Sequence, residues 1–311
     1  MPAPVVIVSD VLPGDSLTAL RAVCDVRHVD GRDRPALFAA LPDADALIVR
    51  SGTRVDAEVL DRAPGLRVVA RAGVGLDNVD TDTARARGIT VLNAPDSNTV
   101  SVAELTVALI VSSVRHLTAG MRSLANGEWR RAELTGVELA GRTLGIVGYG
   151  RVGRQVARRL AAFDMHILVH DPYADTLGDD VHPTGLDELL TASDVVTLHL
   201  PKTPRTAGLI GARELSLMKP TAHLVNAARG GIVDETALHR ALRDGRLAGA
   251  ALDVFATEPP GTSPLLALPN VVAVPHLGAS TYDAQLRAGQ EVVRKVLAEL
   301  TPVVVPAPTA V

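Results

Sequence analysis

Three side chains in the second half of the sequence can do proton and anion chemistry together. They are Arg229 in HLVNAARGG, Glu258 in AALDVFATEPP and His276 in VVAVPHLGAS. Histidine exchanges a proton near neutral pH, its unperturbed pKa lying at about 6.5. A carboxylate beside it, the part open to Glu258, fixes the ring tautomer and stabilises the imidazolium. Arginine offers a planar fork for a carboxylate or a polarised oxygen. Oxidising a 2-hydroxy acid needs such a set, because the hydroxyl proton must go to a base while a hydride leaves carbon 2. Singly, each residue has a plainer use: a hydrogen-bonding histidine at a strand end, a Glu starting a turn before Pro259, an arginine capping a helix. Their shared placement, each after an apolar run and beside Gly or Pro, favours a site.

A second constellation precedes them. TLGIVGYGRVGRQVARRL reads as a strand, a glycine turn and a helix, and Gly148, Gly150 and Gly153 fit G-x-G-x-x-G. The first glycine permits the tight turn, the second lets a pyrophosphate approach the backbone, and the third lets the helix pack close to the strand. That helix points free N–H groups and its positive dipole end at the phosphates. By itself the pattern is weak. Here it is answered by Asp171 at the end of the next predicted strand, 18 residues past Gly153. An acidic side chain there accepts hydrogen bonds from ribose hydroxyls and repels a 2′-phosphate. Pro172 and Tyr173 follow it, not arginine, so NAD is expected over NADP.

These residues need a scaffold that brings strand ends together. The chain has 311 residues, about twice the usual domain, and 47% of them are hydrophobic, enough for two cores. Only 2% are aromatic, so the cores must be built from Val, Leu, Ile and Ala, as in buried parallel strands. Predicted strands are Val5 to Ser9, Ala46 to Val49, Arg67 to Arg71 and Thr90 to Asn93. A second group runs Thr143 to Val147, His166 to His170, Val195 to Leu198, His223 to Asn226, Gly249 to Asp253 and Val271 to Val274. Strand then helix, repeated, predicts an α/β fold with doubly wound parallel sheets. Carboxyl ends of parallel strands are where such sheets bind ligands, so Arg229, Glu258 and His276 should converge. Between the groups, Asn98 to about Asn126 is predicted helical, with Ser101 and Glu104 as a capping box. Its apolar residues run nearly all round, which calls for burial between domains or between subunits.

At these motifs the sequence resembles the D-2-hydroxyacid dehydrogenase family, from about Val5 to about Glu299. RSGTRVD, RAGVGLDNVD, SVAELT, NAARGGIVDE, GAALDVFATEPP and PHLGAS carry the likeness. The resemblance implies two doubly wound domains: a discontinuous flavodoxin-like substrate domain, 1–95 plus 281–311, and an inserted Rossmann NAD-binding domain, 96–280. It implies that Arg229 binds substrate, Glu258 pairs with the histidine, and His276 is the acid/base. Val74, Gly148, Gly150, Arg151, Val152, Gly153, Asp171, Leu200, Ala227, Ala228, Asp253, His276, Gly278 and Ala279 fall where the family lines its NAD pocket. Val74 and Leu200 stand where relatives often carry a hydroxyl or small polar residue, a slight matter where contacts are through backbone. Arg50, Ser51, Gly73 and Val74 match the loops that hold the acid. Arg131, in GEWRRAE, matches an arginine that in one branch reaches a phosphate across a dimer. A homodimer through the nucleotide-binding domain is thus implied, and a substrate such as D-3-phosphoglycerate, oxidised to 3-phosphohydroxypyruvate in serine biosynthesis. Gly52 departs from relatives that carry a second basic residue there. Reduction of glyoxylate, hydroxypyruvate or another 2-keto acid is the alternative; a non-catalytic NAD-sensing protein is a distant one.

The remaining features point to a small-molecule enzyme. A formal charge of −4, with 31 Lys+Arg and 35 Asp+Glu, gives no footprint for nucleic acid or an anionic membrane. MPAPVVIVSD reads as a first strand, not a leader, and Cys24 is the single cysteine, so a cytoplasmic protein without a disulfide is expected. His166 and His170 have helical metal spacing, yet lie in a predicted strand where four residues span roughly 13 Å. No metal is expected. The sequence ends at Val311, so the C-terminal regulatory domains of longer relatives, and serine feedback through them, are not expected. Pro302 to Val311 reads as a frayed tail.

Overall fold

The computed structural model describes residues 2–174 and 181–301, and the Pro-rich end lies outside them. Contacts divide the chain into two units. One takes the chain up to Asn98 and again from Ala279; the other is Thr99–Gly278.

The first unit holds β1 (Val5–Val8), β2 (Asp25–His28), β3 (Ala46–Val49), β4 (Val68–Arg71) and β5 (Thr90–Asn93). Helices α1 (Thr18–Arg21), α2 (Arg34–Ala40), α3 (Ala57–Asp61) and α4 (Thr81–Ala86) connect them. Every pairing is parallel, in the order β2-β1-β3-β4-β5. The winding reverses between β1 and β3, which opens a crevice at the carboxyl ends of those strands. Alternate residues feed opposite faces: Val6, Val8, Ala46 and Ile48 join one apolar layer, Ile7, Leu47 and Val49 the other. Burial on both faces is why these strands are unbroken apolar runs. Asp33, Asp56 and Asp80 start α2, α3 and α4 by accepting N–H bonds three residues on, at 3.1, 3.2 and 3.0 Å.

The second unit opens with α5 (Thr99–Val114) and α6 (Leu117–Ala125). Its strands are β6 (Thr143–Val147), β7 (His166–His170), β8 (His182–Pro183), β9 (Val195–Leu198), β10 (His223–Asn226), β11 (Gly249–Leu252) and β12 (Val271–Ala273). They are crossed by α7 (Arg151–Ala161), α8 (Leu186–Ala192), α9 (Ala212–Leu217) and α10 (Glu235–Arg243). This sheet is also parallel throughout, ordered β12-β11-β10-β9-β6-β7-β8, so the winding reverses between β6 and β9. Register levels the strand ends on each side of that switch. Val147 pairs with both His170 and Leu198, while Leu252 pairs with Asn226 and Ala273. The last helix, α11 (Tyr282–Leu300), goes back to the first sheet, where Val292, Val293 and Val296 pack with Val6, Ile48 and Val68.

The ten predicted strands are present to within one residue at each end, and two more were not foreseen. One, β2, reads DVRH and pairs with β1 alone; the other, β8, is two exposed residues beside β7. An edge strand needs no apolar side chain on both faces, and these two have none to spare, whereas the other edges, β5 and β12, keep apolar runs that patterning finds. The run from Asn98 to Asn126 is not one helix. It breaks at His116, whose φ of 52° is left-handed, and α6 leaves α5 at 67°. Because α5 begins at Thr99, Ser101 and Glu104 lie inside its first two turns and do not cap it. The two halves also differ in burial. Val102, Leu109, Ile110 and Val114 of α5 enter the core with Ile146 and Val225, whereas Leu117, Met121 and Leu124 of α6 are exposed. Among the described residues no single helix is long and apolar enough to cross a membrane.

Candidate active site

The glycine turn sits at the switch point of the second sheet. Gly148 has φ of 95°, and a Cβ there would lie 2.4 Å from the His199 carbonyl oxygen. Only glycine fits, for shape and for conformation. A Cβ on Gly153 would meet the Gly148 carbonyl at 2.3 Å, which is the close helix–strand packing expected of the third glycine. Gly150 is different. It precedes α7 with no side-chain cap, and nothing in the chain stands within 4 Å of its missing Cβ. The space it leaves open adjoins the first turn of α7, begun by Arg151 and Val152, where a helix directs its N–H groups and positive dipole end. Asp171 is locked beside this turn: its Oδ2 accepts the Tyr149 N–H at 2.7 Å and its Oδ1 the Tyr173 N–H at 2.9 Å. Each oxygen keeps a lone pair for another donor. These residues fit a dinucleotide.

On the other side of the switch the loops after β10, β11 and β12 interlock. A Cβ on Gly230 would stand 1.7 Å from the Phe255 carbonyl oxygen, so the loop carrying Arg229 lies flat on the loop leading to Glu258. Asn226, buried at the end of β10, braces that first loop by donating to the Arg229 carbonyl at 3.0 Å and accepting from Ala228 N–H at 3.1 Å. The second loop is tied twice, Phe255 N–H to Glu258 Oε1 at 3.1 Å and Ala256 N–H to Glu235 Oε1 at 2.5 Å. The third hangs on Asp253, which is 1% exposed and accepts Leu277 and Gly278 N–H bonds at 2.5 and 2.9 Å. Burial raises the Asp253 carboxyl above its ordinary range, against the pull of those two amides. Its side chain is thus committed to the loop, and Gly278 leaves room between Asp253 and Val102.

The result is a paired histidine. His276 Nδ1 lies 2.7 Å from Glu258 Oε2, with His276 held at a φ of 51°. A left-handed backbone at a histidine costs free energy that surrounding bonds must offset, a pattern typical of functional sites. Both side chains are at least a third exposed, so the pair adds roughly 0–1 kcal/mol to stability. Its value lies in orientation. With Nδ1 facing a carboxylate, Nε2 is the nitrogen left for a reacting proton. Arg229 bonds the Ala228 carbonyl through Nη1 at 2.8 Å. Leu200 and Ala228 lean on the apolar core and Ala227 is buried in it, leaving their backbones at the sheet edge. His199, Asn226 and Glu235 are site-building residues that motif reading passed over. Burial pushes His199 down to about 3, so its ring is neutral, with Nε2 3.0 Å from Thr197 Oγ1. A polar residue closing an apolar strand, as in VVTLH and HLVN, is the signal that could have found two of them.

In the first unit Arg50, Ser51 and Gly52 follow β3, and Gly73 and Val74 follow β4. Asp10 Oδ2 accepts the Arg50 and Thr53 N–H bonds at 2.6 and 3.2 Å, while Asn78 donates to the Arg50 carbonyl at 2.6 Å. Asn93 donates to the Val74 carbonyl at 2.6 Å, and a Cβ on Gly73 would stand 2.5 Å from Arg71 Nη1. Ala279 belongs to this unit by contacts. Arg131 opens a 3-10 turn in the second unit and is exposed. Among the described residues no three His, Cys, Asp or Glu side chains converge as a metal site would require; His166 and His170 lie along β7.

Residues 107–278, more than half of the 311, match the family model for the NAD binding domain of D-isomer specific 2-hydroxyacid dehydrogenases. The chain belongs to the D-isomer specific 2-hydroxyacid dehydrogenase family. It is 51% identical over 301 residues to the D-3-phosphoglycerate dehydrogenase of Mycobacterium tuberculosis (strain ATCC 25618 / H37Rv), covering 95% of this chain and 57% of that relative. The chain therefore spans little more than half the length of that relative. To the hydroxypyruvate reductase of Thermotoga maritima it is 42% identical over 271 residues, covering 86% of this chain and 89% of that one. The crystal structure of a Thermus thermophilus protein matches it with a TM-score of 0.88 at 40% identity, over 95% of this chain and 96% of that one. Two parallel α/β units, the second an NAD-binding domain, are what this chain shares with the family.

Proposed function

We propose that this dehydrogenase moves a hydride between NAD and a D-2-hydroxy acid, with D-3-phosphoglycerate as substrate and 3-phosphohydroxypyruvate as product. The observation that carries the reading is His276 Nδ1 held 2.7 Å from Glu258 Oε2, on loops locked against the one bearing Arg229. His276 Nε2 accepts the hydroxyl proton as carbon 2 is oxidised, and returns it in the reverse direction. Glu258 stabilises the imidazolium so formed, and Arg229 holds the substrate carboxylate and polarises the C2 oxygen. When bound, NAD supplies the hydride acceptor. Gly150, the first N–H groups of α7 and Asp171 would hold its pyrophosphate and ribose; Arg50, Ser51, Gly73 and Val74 would bind the acid. The phosphorylated substrate is supported by likeness to the mycobacterial relative. Likeness to the hydroxypyruvate reductase, nine-tenths of whose length the chain covers, supports reduction of an unphosphorylated 2-keto acid as a second reading.

One set of initial-rate assays tests both. Expected is NADH formation from D-3-phosphoglycerate with kcat/KM well above that for hydroxypyruvate or glyoxylate reduction. A reversed order discards the phosphoglycerate assignment and keeps the mechanism. The same assays run with NADP read the cofactor. Wild type prefers NAD, and Asp171→Ala should narrow that preference by about tenfold or more, since a ribose contact and a charge repulsion go together. An unaltered NAD/NADP ratio would remove Asp171 from the ribose.

The assembly proposed is a homodimer through the nucleotide-binding unit. Its support is the exposed apolar side chains of this unit: Leu117, Met121 and Leu124, at helical spacing on α6, and Trp129 and Val137 in the segment after it. Trp129 is 80% exposed, an unusual state for a monomer surface. Sedimentation equilibrium at micromolar concentration should give twice the mass of the chain, and Met121→Lys with Leu124→Lys should halve it. A wild-type monomer would overturn the dimer and the part assigned to Arg131 across it.

A further inference from the structure

Arg32 lies in the loop after β2, and the backbone fixes where it points. Gly31 N–H donates to the Ser9 carbonyl at 2.9 Å, and a Cβ on Gly31 would stand 1.8 Å from Thr53 Oγ1. The loop after β2 therefore lays its Gly31 backbone directly on the Thr53 side chain of the loop after β3. Thr53 is itself buried, its Oγ1 2.9 Å from Ser9 Oγ, so neither loop can slide. Directly across, a Cβ on Gly52 would lie 2.4 Å from Asp10 Oδ1 and 3.4 Å from both Nε and Nη2 of Arg32. The Asp10 carboxylate and the Arg32 guanidinium thus flank the space that a side chain at position 52 would take, next to Arg50 and Ser51.

A cavity of about 470 Å³ opens here, lined by Val11, His28, Arg32, Arg50, Ser51 and Gly52 among others. It sits at the crevice where the first sheet reverses its winding, the usual place for a ligand, and its size suits a small molecule. Two carboxylates, Asp10 and Asp30, share its lining with the two arginines, yet among the described residues neither arginine is in an ion pair. Among the described residues the Arg32 guanidinium has no hydrogen bond or ion pair, and that of Arg50 has the Val11 carbonyl at 3.1 Å. The two carboxylates on the wall face backbone: Asp10 Oδ2 takes the Arg50 and Thr53 amides, and Asp30 Oδ1 takes the Arg32 amide at 3.0 Å. Two planar forks outside any ion pair in one crevice fit a dianion with three terminal oxygens, since each fork can take two of them.

We propose that Arg32 is a specificity-determining residue which, with Arg50, cradles the phosphate of a phosphorylated 2-hydroxy acid in this cavity. The inference rests on the phosphoglycerate reading above and adds to it the residue that discriminates phosphorylated from unphosphorylated acids. Steady-state kinetics of Arg32→Ala and Arg32→Lys, on the full chain, test it with D-3-phosphoglycerate and hydroxypyruvate. The ratio of kcat/KM for phosphoglycerate to that for hydroxypyruvate should fall about 10- to 100-fold in Arg32→Ala, through KM and not kcat, and recover in part in Arg32→Lys. Competitive inhibition by inorganic phosphate should weaken in parallel. An unchanged ratio, or an equal loss for both substrates, overturns the proposal. If wild type does not turn over phosphoglycerate, the functional reading fails by itself, and inorganic phosphate decides about the cradle. Binding by wild type that is lost in Arg32→Ala upholds it, and no binding by wild type overturns it.

Discussion

Turnover of His276→Ala falls about 10²- to 10⁴-fold, the usual contribution of a positioned acid/base, while NAD still binds. The two effects separate because of where the ring is anchored. Its nitrogen Nδ1 faces Glu258 at 2.7 Å, and the loop that carries it is held from behind by Asp253 through the Leu277 and Gly278 amides. Those anchors are backbone bonds that an alanine keeps. The dinucleotide cradle proposed at Gly148 to Gly153 and Asp171 is built from the ends of other strands, β6 and β7, and loses nothing. Fluorescence titration with NADH alongside initial rates measures both quantities. A Kd for NADH weakened as much as kcat would make His276 a binding residue. Unaltered turnover would leave the base unidentified, whereas wild-type turnover abolished in the variant removes the non-catalytic sensor reading. The companion Glu258→Gln removes the charge and leaves one acceptor oxygen where the carboxylate offers one each to His276 and to the Phe255 N–H. Its kcat should fall about tenfold or more with NADH binding retained, since the ring loses its anionic partner. Unaltered kcat would show that Glu258 does not assist the base.

Gly230→Ala should cost about 3–5 kcal/mol of stability and most of the activity. The added methyl would stand 1.7 Å from a backbone oxygen, Phe255 O, which no rotamer change can move. Backing away is also blocked, since Phe255 N–H is bonded to Glu258 and Ala256 N–H to Glu235. Separating the loops breaks one of these bonds or shifts Glu258 away from His276, so stability and catalysis fall together. For a unit of this size the change lowers Tm by roughly 10 °C. Gly150→Ala is the contrast, because nothing stands within 4 Å of its missing Cβ and its backbone is extended. It should cost less than about 1 kcal/mol of stability, and show itself in weaker NAD binding. Calorimetry with NAD titration checks the pair. Equal Tm losses in the two variants would show that the interlock at Gly230 is not what organises the site.

The candidate site residues could be proposed from sequence because each kind leaves a local trace. Strands buried on both faces must be apolar runs, so β1, β3 and β9 to β11 stand out, and the residues just after such a run lie at a strand end. That is why Arg229, Glu258, His276 and Asp171 could be picked from composition and spacing, and why the glycine turn could be placed between β6 and α7. Edge strand β2 left no trace, being paired on one side only, and the bend at His116 rests on one residue's backbone angle within a continuous apolar pattern.

Which residues meet was decided by tertiary structure. Strand order puts β6 beside β9 and β10 beside β11, although 47 residues separate Val147 from Val195, and no local pattern encodes that neighbourhood. The motif gave Gly148 a tight turn, Gly150 an opening for a pyrophosphate and Gly153 close helix packing, and only the fold showed which atoms forbid a side chain at the first and third. Asp253 lay at a strand end like Asp171, but its burial turned it into the anchor of the histidine loop. Gly52 read as a missing charge, and only the fold showed the Arg32 guanidinium and the Asp10 carboxylate flanking that place. Sequence specifies what each residue can do; the fold sets the distances over which hydrogen bonds and charges act, and those forces fade within a few ångströms.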